Sequence, residues 1–345
     1  MRTLYALLVG IDRYPEPIPQ LYGCVNDIKR MQEYLQGRHD DSAFRLDLAA
    51  PLLDQQATRQ AVIDEFQNHL GKAMKGDVAL FYYSGHGSQE RAPKEFWHLE
   101  PDKLDETIVC WDSRQPGHHD LADKELAYLI GKVARNGAHV VVILDSCHSG
   151  SGTRNIRNQQ TAVRRVETDL RDRPIDSFIM TVDEANRQAR DVNGGGTSGW
   201  GAAGRHVLLA ACRDDEEAVE YHAIGPDGQL EQRGGFSYFL GEALHSANGP
   251  TTYRDLFART SALVRAQVQD QSPQLESTVA EDLDAQLFDG AIRPSAPYFT
   301  LSNRDDAWWI DGGAVHGLPA VAPDEDALLD AFPFGASDDD LRESK

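Results

Sequence analysis

Leu4 to Gly10 is an apolar run of strand length, and it opens a chain in which such runs alternate with segments of helical spacing. Asn26 to Leu35 sets Ile28, Met31 and Leu35 on one helical face, with Gly37 placed to stop it. Thr58 to Met74 does the same with Val62, Phe66, Leu70 and Met74, and Gly76-Asp77 then leads into a strand over Val78 to Tyr83. A short strand is predicted over Thr107 to Trp111, a helix from Asp123 through Val133 closed by Gly137, and a strand over Val140 to Leu144. His206 to Ala211 reads as a further strand, and Ser237 to His245 and Tyr253 to Val268 as helices. Strands alternating with helices predict an α/β fold, a mostly parallel sheet with crossover helices.

Two stretches break the rhythm. Between Gly150 and Gly204 polar residues dominate and apolar periodicity is weak, and the stretch carries Arg154, Arg157, Arg164, Arg165, Arg171, Arg173, Arg187 and Arg190. So long an interruption inside a compact domain is characteristic of a functional or mobile segment. After about Phe288 the texture shifts again: Tyr298 to Leu301 and Ala307 to Ile310 read as an antiparallel pair, followed by an acidic tail with Asp338-Asp339-Asp340.

Charge narrows the function. The 345 residues hold 34 Lys and Arg against 55 Asp and Glu, a net charge of −21, which disfavours nucleic acid as a partner and is compatible either with a cationic ligand or with a merely solvated acidic surface. No apolar run approaches the length of a bilayer span, and the first apolar stretch, interrupted by Asp12 and Arg13, reads as a strand rather than a leader. Cys24, Cys110, Cys147 and Cys212 are widely spaced, which fits neither a zinc site nor a disulfide framework and points to a reducing cytoplasm.

The chemistry gathers at two strand exits, Tyr83-Ser84-Gly85-His86-Gly87 and Asp145-Ser146-Cys147-His148-Ser149-Gly150. Ligands of open α/β sheets bind at the carboxyl ends of parallel strands. If the two strands are neighbours, His86 and Cys147 share one rim, the arrangement a thiol nucleophile and its proton-transfer partner need. The amides of Gly87 and Cys147 are placed to form an oxyanion hole. Neither Ser146 nor Ser149 lies in a GxSxG turn, and His86 already fills the role of base, leaving His148 structural or solvent-facing.

These motifs resemble the caspase superfamily, and within it the metacaspase and orthocaspase branch. The match runs through Tyr5 to Asp12, Gly23-Cys24-Val25-Asn26-Asp27, the two exits above, Leu208 to Asp215, Gly234 to Tyr238 and Ser272-Pro273-Gln274. The resemblance implies the caspase-hemoglobinase fold over residues 1–290: a large-subunit-like part to residue 150, an Arg-rich mobile linker over 151–204, and a small-subunit-like part over 205–290. Residues 291–345 form a C-terminal extension, partly β.

It further implies a cysteine endopeptidase acting through a His86–Cys147 dyad, as a monomer, on protein or peptide substrates with Arg or Lys before the cut bond. Cys24, Asp27, Ser84 and Asp145 match the family's specificity pocket, where two carboxylates meet one guanidinium. Asp27 has a second reading, as a first-turn helix carboxylate, and Cys24 as core filler. An Arg-rich segment tethered beside such a site meets it at high effective concentration, so self-cleavage is expected, with Arg154, Arg157 and Arg165 as candidates. Calcium, which many metacaspases need, is disfavoured: Asp112, Asp120 and Asp123 are kept, but Lys124 and Arg154 stand where the family pattern has acidic residues. No other cofactor is expected. Two other readings stay open, a caspase-like scaffold without catalysis, and a clan member latent until a partner or nucleotide binds.

Overall fold

In a computed structural model, the structure describes residues 2–39, 44–147, 162–190, 204–247, 251–288, 299, 301–304, 307–310 and 331–332. A central sheet is built from β1 (Arg2–Gly10), β2 (Phe44–Leu48), β3 (Leu52–Leu53), β4 (Val78–Ser84), β8 (His139–Asp145), β9 (His206–Ala210) and β12 (Gln274–Ser277). The order is β12-β9-β8-β4-β1-β2, with β3 also beside β1, and every pair is parallel except β12 with β9. The expected α/β architecture is present.

Strand alternation divides the core in two. Leu7, Val9, Phe81, Val142 and Leu144 point to one face, where α2 (Arg59–Asn68) brings Val62 and Phe66 and α3 (Asp123–Arg135) brings Leu126, Ile130 and Val133. Leu4, Leu8, Leu80, Tyr82 and Ile143 point to the other, against Ile28, Met31 and Leu35 of α1 (Cys24–His39), Phe236 and Leu240 of α5 (Gly235–Ser246), and Leu256 of α6 (Tyr253–Gln267). A sheet covered on both faces needs strands apolar at every position, which is why β4 and β8 read as continuous hydrophobic runs. Among the described residues no helix is long and apolar enough to cross a membrane.

Several boundaries differ from the sequence pattern. α1 runs through Gly37 to His39; a glycine costs a helix only about 1 kcal/mol, and nothing packs where its side chain would be. α2 starts after the Thr58 cap and stops at Asn68, because the apolar stripe ends at Leu70 and Met74 is exposed. The strand expected over Thr107 to Trp111 is β6 (Leu104–Ile108), which pairs antiparallel with β5 (Gly87–Arg91) and β7 (Leu121–Ala122) in a small separate sheet. A hairpin of β10 (Glu220–Ile224) and β11 (Leu230–Gly234) carries too little apolar alternation to read from sequence. The C-terminal pair is β13 (Leu301–Arg304) with β14 (Ala307–Ile310).

Part of the stretch expected as a mobile linker is fastened to the fold. Residues 162–190 contain α4 (Val182–Arg190), and Phe178, Met180 and Ala185 pack with Phe96 and Ala122 in a small core of their own. Arg173 is buried between Glu90 and Glu125. Polar composition hid this anchoring, because the segment is held by ion pairs as much as by apolar burial.

Candidate active site

Ser84 and Asp145 are partners on the last rung between β4 and β8, so His86 and Cys147 each stand two residues beyond the same rung. The turns stay in step, with the Gly85 amide donating to the Asp145 carbonyl at 3.3 Å. Gly85 must lack a side chain: a Cβ there would lie 2.5 Å from the Tyr83 hydroxyl and 2.7 Å from that of Tyr14. The strand registry therefore brings the two predicted residues to one rim.

His86 is buried, and its Nε2 donates to the Pro19 carbonyl at 2.9 Å. A carbonyl only accepts, so Nε2 carries the proton and Nδ1 presents a lone pair, with no hydrogen-bond partner among the described residues. Burial lowers the imidazole pKa to about 4; the Pro19 carbonyl opposes this and Arg164 adds to it. At neutral pH the ring is an uncharged base. Cys147 is also fully buried, and the Ala218 amide donates to its Sγ at 2.7 Å.

The chain's own segment 162–166 is bonded to the backbone of both loops. The Arg164 carbonyl oxygen accepts from the Gly87 amide at 3.0 Å and the Cys147 amide at 3.2 Å. Those are the two amides expected to form an oxyanion hole, and they converge on one peptide carbonyl. Upstream, the Arg164 amide donates to the Ala218 carbonyl at 2.9 Å, the Glu220 amide donates to Ala162 at 2.9 Å, and Val163 bridges Val219 antiparallel. Downstream, Arg165 bridges Gly87 in parallel and the Val166 amide donates to the Gly87 carbonyl at 3.0 Å. The segment lies across the rim as an extended strand with Arg164 at its centre.

The Arg164 side chain fills a closed acidic pocket and has no exposed surface. Its Nη1 donates to Ser84 Oγ at 2.8 Å and pairs with Asp145 Oδ2 at 3.1 Å; its Nη2 pairs with Asp27 Oδ2 at 2.8 Å and lies 3.8 Å from Glu220 Oε1. Burial works against the guanidinium charge, yet Asp145, Cys24, Asp27 and Glu220 together drive its pKa further up. Burial raises the Asp145 and Glu220 carboxyls, and the guanidinium opposes it in both. Cys24 is walled in beside them, its thiol pushed up by burial and drawn down by Arg164. Asp27, Ser84 and Asp145, three of the four residues matched to the specificity pocket, thus meet at one guanidinium.

Sequence reasoning missed several contributors. Glu220 lies in the unread hairpin, and Arg233 holds the far oxygen of Asp27 at 2.7 Å. The Ser237 amide and hydroxyl both donate to Asp145 Oδ2, at 3.0 and 2.5 Å. Gly234 leaves room for the occupant, since a Cβ there would collide with Asp145 Oδ2 and Arg164 Nη1. Gly234 and Ser237 had a signal in the motif over Gly234 to Tyr238; Glu220 and Pro19 had none. Of the self-cleavage candidates, Arg154 and Arg157 lie outside the described residues. Arg165 is not in the pocket: its guanidinium faces Glu217 at 3.8 Å, and the pocket takes Arg164 instead.

A family model described as Caspase domain matches residues 3–284. The chain belongs to the caspase-domain family. The caspase domain here is 34% identical over 152 residues to Metacaspase-1 of Botryotinia fuckeliana, covering 42% of this chain and 34% of that protein. It is 32% identical over 159 residues to Metacaspase-8 of Arabidopsis thaliana, covering 45% and 39%. The matched part thus spans about a third of the length of these curated relatives. The crystal structure of protein GSU0716 from Geobacter sulfurreducens has the same fold at 23% identity, with a TM-score of 0.56 over 84% of this chain and 100% of that one.

The acidic residues considered for calcium do not form one site in this caspase domain. Asp112 accepts from the Arg59 amide at 2.8 Å and faces His118 at 2.9 Å, and Asp120 pairs with Arg114 at 2.8 Å. Asp123 instead joins Glu100 and Asp105 in a group close enough to hold a metal ion. The Lys124 ammonium stands among them, against Asp105, at 2.9 Å from Glu100 and 3.3 Å from Asp123. The three carboxylates raise the Lys124 pKa against the opposing effect of burial. A side-chain cation thus already stands among these three carboxylates.

Proposed function

We propose that this caspase domain is a cysteine endopeptidase that cuts after arginine, with Cys147 as nucleophile and His86 as its proton-transfer partner. The observation that carries the reading is the docking of Arg164, with its guanidinium in the acidic pocket and its carbonyl on the Gly87 and Cys147 amides. That is the pose of a substrate residue preceding a scissile bond.

In the proposed step, Cys147 Sγ attacks the carbonyl carbon and gives its proton to His86 Nδ1. The two amides hold the oxyanion, and the proton passes to the departing peptide nitrogen. A water, deprotonated by His86 Nδ1, then hydrolyses the thioester, and the imidazolium returns that proton to Cys147 Sγ. Arginine is preferred to lysine because the two ends of the fork are held by different carboxylates, Asp145 on one side and Asp27 on the other.

The bond presented is Arg164–Arg165, so the chain is its own first substrate, and the uncut chain is occluded toward others. Calcium is not required, because Lys124 supplies the cation. The test is intact-mass analysis and N-terminal sequencing of the purified chain beside Cys147→Ala. A new terminus at Arg165 only where Cys147 is present supports the reading. An uncut wild-type chain that also fails to hydrolyse arginyl peptides removes it and favours a scaffold.

A further inference from the structure

The docked segment continues past Arg164, and the surface it lies on has a chemistry of its own. Arg165 occupies the position just after the scissile bond. Its side chain is only 19% exposed, and its guanidinium faces Glu217 at 3.8 Å, a carboxylate that is itself 39% exposed. Glu217 ends the run Asp214-Asp215-Glu216-Glu217, which leaves the sheet just beyond β9 on the catalytic side. Beyond Arg165 the segment follows β5 as a strand. Ser88 Oγ lies 3.2 Å from the Val166 carbonyl oxygen, the Asp169 amide donates to Gln89 at 2.8 Å, and the Arg91 amide donates to Asp169 at 2.9 Å. The edge of β5 therefore offers a backbone groove for the residues after the cut, with Glu217 beside its first position.

We propose that Glu217 selects a basic residue immediately after the cut bond, so that the substrate class is peptides with paired basic residues, cleaved between the two. This rests on the protease reading and adds a second, independent subsite to it. The primary pocket and Glu217 recognise different side chains: Asp27 and Asp145 hold the guanidinium before the bond, and Glu217 meets the one after it. An ion pair this exposed gives a modest preference, and removing or reversing the charge changes it in a defined direction.

The experiment uses the full chain and internally quenched peptides Ala-Val-Arg-Xaa-Val-Glu, with Arg, Ala or Asp at Xaa. Wild type, Glu217→Gln and Glu217→Arg are compared, with Cys147→Ala as blank, and the series is repeated on Arg164→Ala, whose own segment cannot fill the pocket. The expected order of kcat/KM is Arg over Ala over Asp, about three- to fivefold between the first two. Glu217→Gln should flatten the series and Glu217→Arg should favour Asp. A flat series in wild type, or an Arg preference that survives Glu217→Arg, overturns the proposal while leaving cleavage after arginine intact. Absence of any Cys147-dependent cut after arginine removes the protease reading, and this proposal with it.

Discussion

Arg164 Nη2 stands 2.8 Å from Asp27 Oδ2, and neither side chain has any exposed surface. Two charges so buried hold each other, and removing one strands the other, at a cost of about 3–5 kcal/mol. Asp27→Asn should therefore slow cutting at Arg164–Arg165 by roughly a hundredfold or more. Asp145→Asn should do the same from the other end of the fork. Because Asp27 also holds Arg233, the thermal midpoint of each variant is needed beside its cleavage rate. Full-rate self-cleavage in both folded variants would show that the acidic pocket does not read the arginine.

The same pocket makes a prediction about its occupant. Arg164→Lys retains a charge but offers one nitrogen where the guanidinium divides its bonds between Asp145 with Ser84 and Asp27. Self-cleavage at this bond should drop by roughly tenfold or more, the equivalent of one to two charge-assisted hydrogen bonds. Arg164→Ala should abolish the fragment altogether and vacate the pocket. A small arginyl fluorogenic substrate would then be hydrolysed without the lag expected of the uncut wild type. Equal lags in the two proteins would mean that the segment does not occlude the site.

Much of this site was open to reading from sequence. Long apolar runs at β4 and β8 imply buried strands; that the two are neighbours, which the equal spacing of His86 and Cys147 needs to put both on one rim, comes from the strand pairing. The pocket was half legible: Asp27 and Asp145 sit in motifs, whereas Glu220 enters from a hairpin of mostly polar residues whose pairing no periodicity reveals. The self-cleavage candidates Arg154, Arg157 and Arg165 did not include the residue that fills the pocket, Arg164. Neighbouring arginines have the same composition, and only the strand pairing of Val163 with Val219 decides which one turns inward.

His86 gives the protein an acid sensitivity of definite sign. Burial lowers its folded pKa to about 4, against 6.5 for an ordinary imidazole. Between those values the unfolded chain binds a proton that the folded chain does not, so stability falls as pH drops from about 6.5 towards about 4. Over pH 7 to 4.5 this one residue should account for roughly 2–3 kcal/mol. Urea unfolding of Cys147→Ala, with and without His86→Gln, isolates it, because the double variant should lose that much less on acidification. Identical losses would mean that the ring protonates freely and is not held neutral in the folded site.

Lys124 carries the remaining prediction, on metal dependence. Its ammonium is surrounded by Glu100, Asp105 and Asp123, and only 9% of the side chain is exposed. Self-cleavage should therefore be unchanged by a calcium chelator. Lys124→Ala leaves three carboxylates facing one another, which should cost about 3 kcal/mol or more at neutral pH. Part of that loss should be relieved by acidification, since burial already raises Glu100 to about 7 and Asp105 to about 6 with the lysine present. The same variant should gain stability from millimolar calcium, which prefers oxygen ligands of this kind, whereas the wild type should not respond. Thermal melts of both proteins with calcium and with chelator decide the matter: a wild-type chain stabilised or activated by calcium would show that the ammonium does not stand in for the metal.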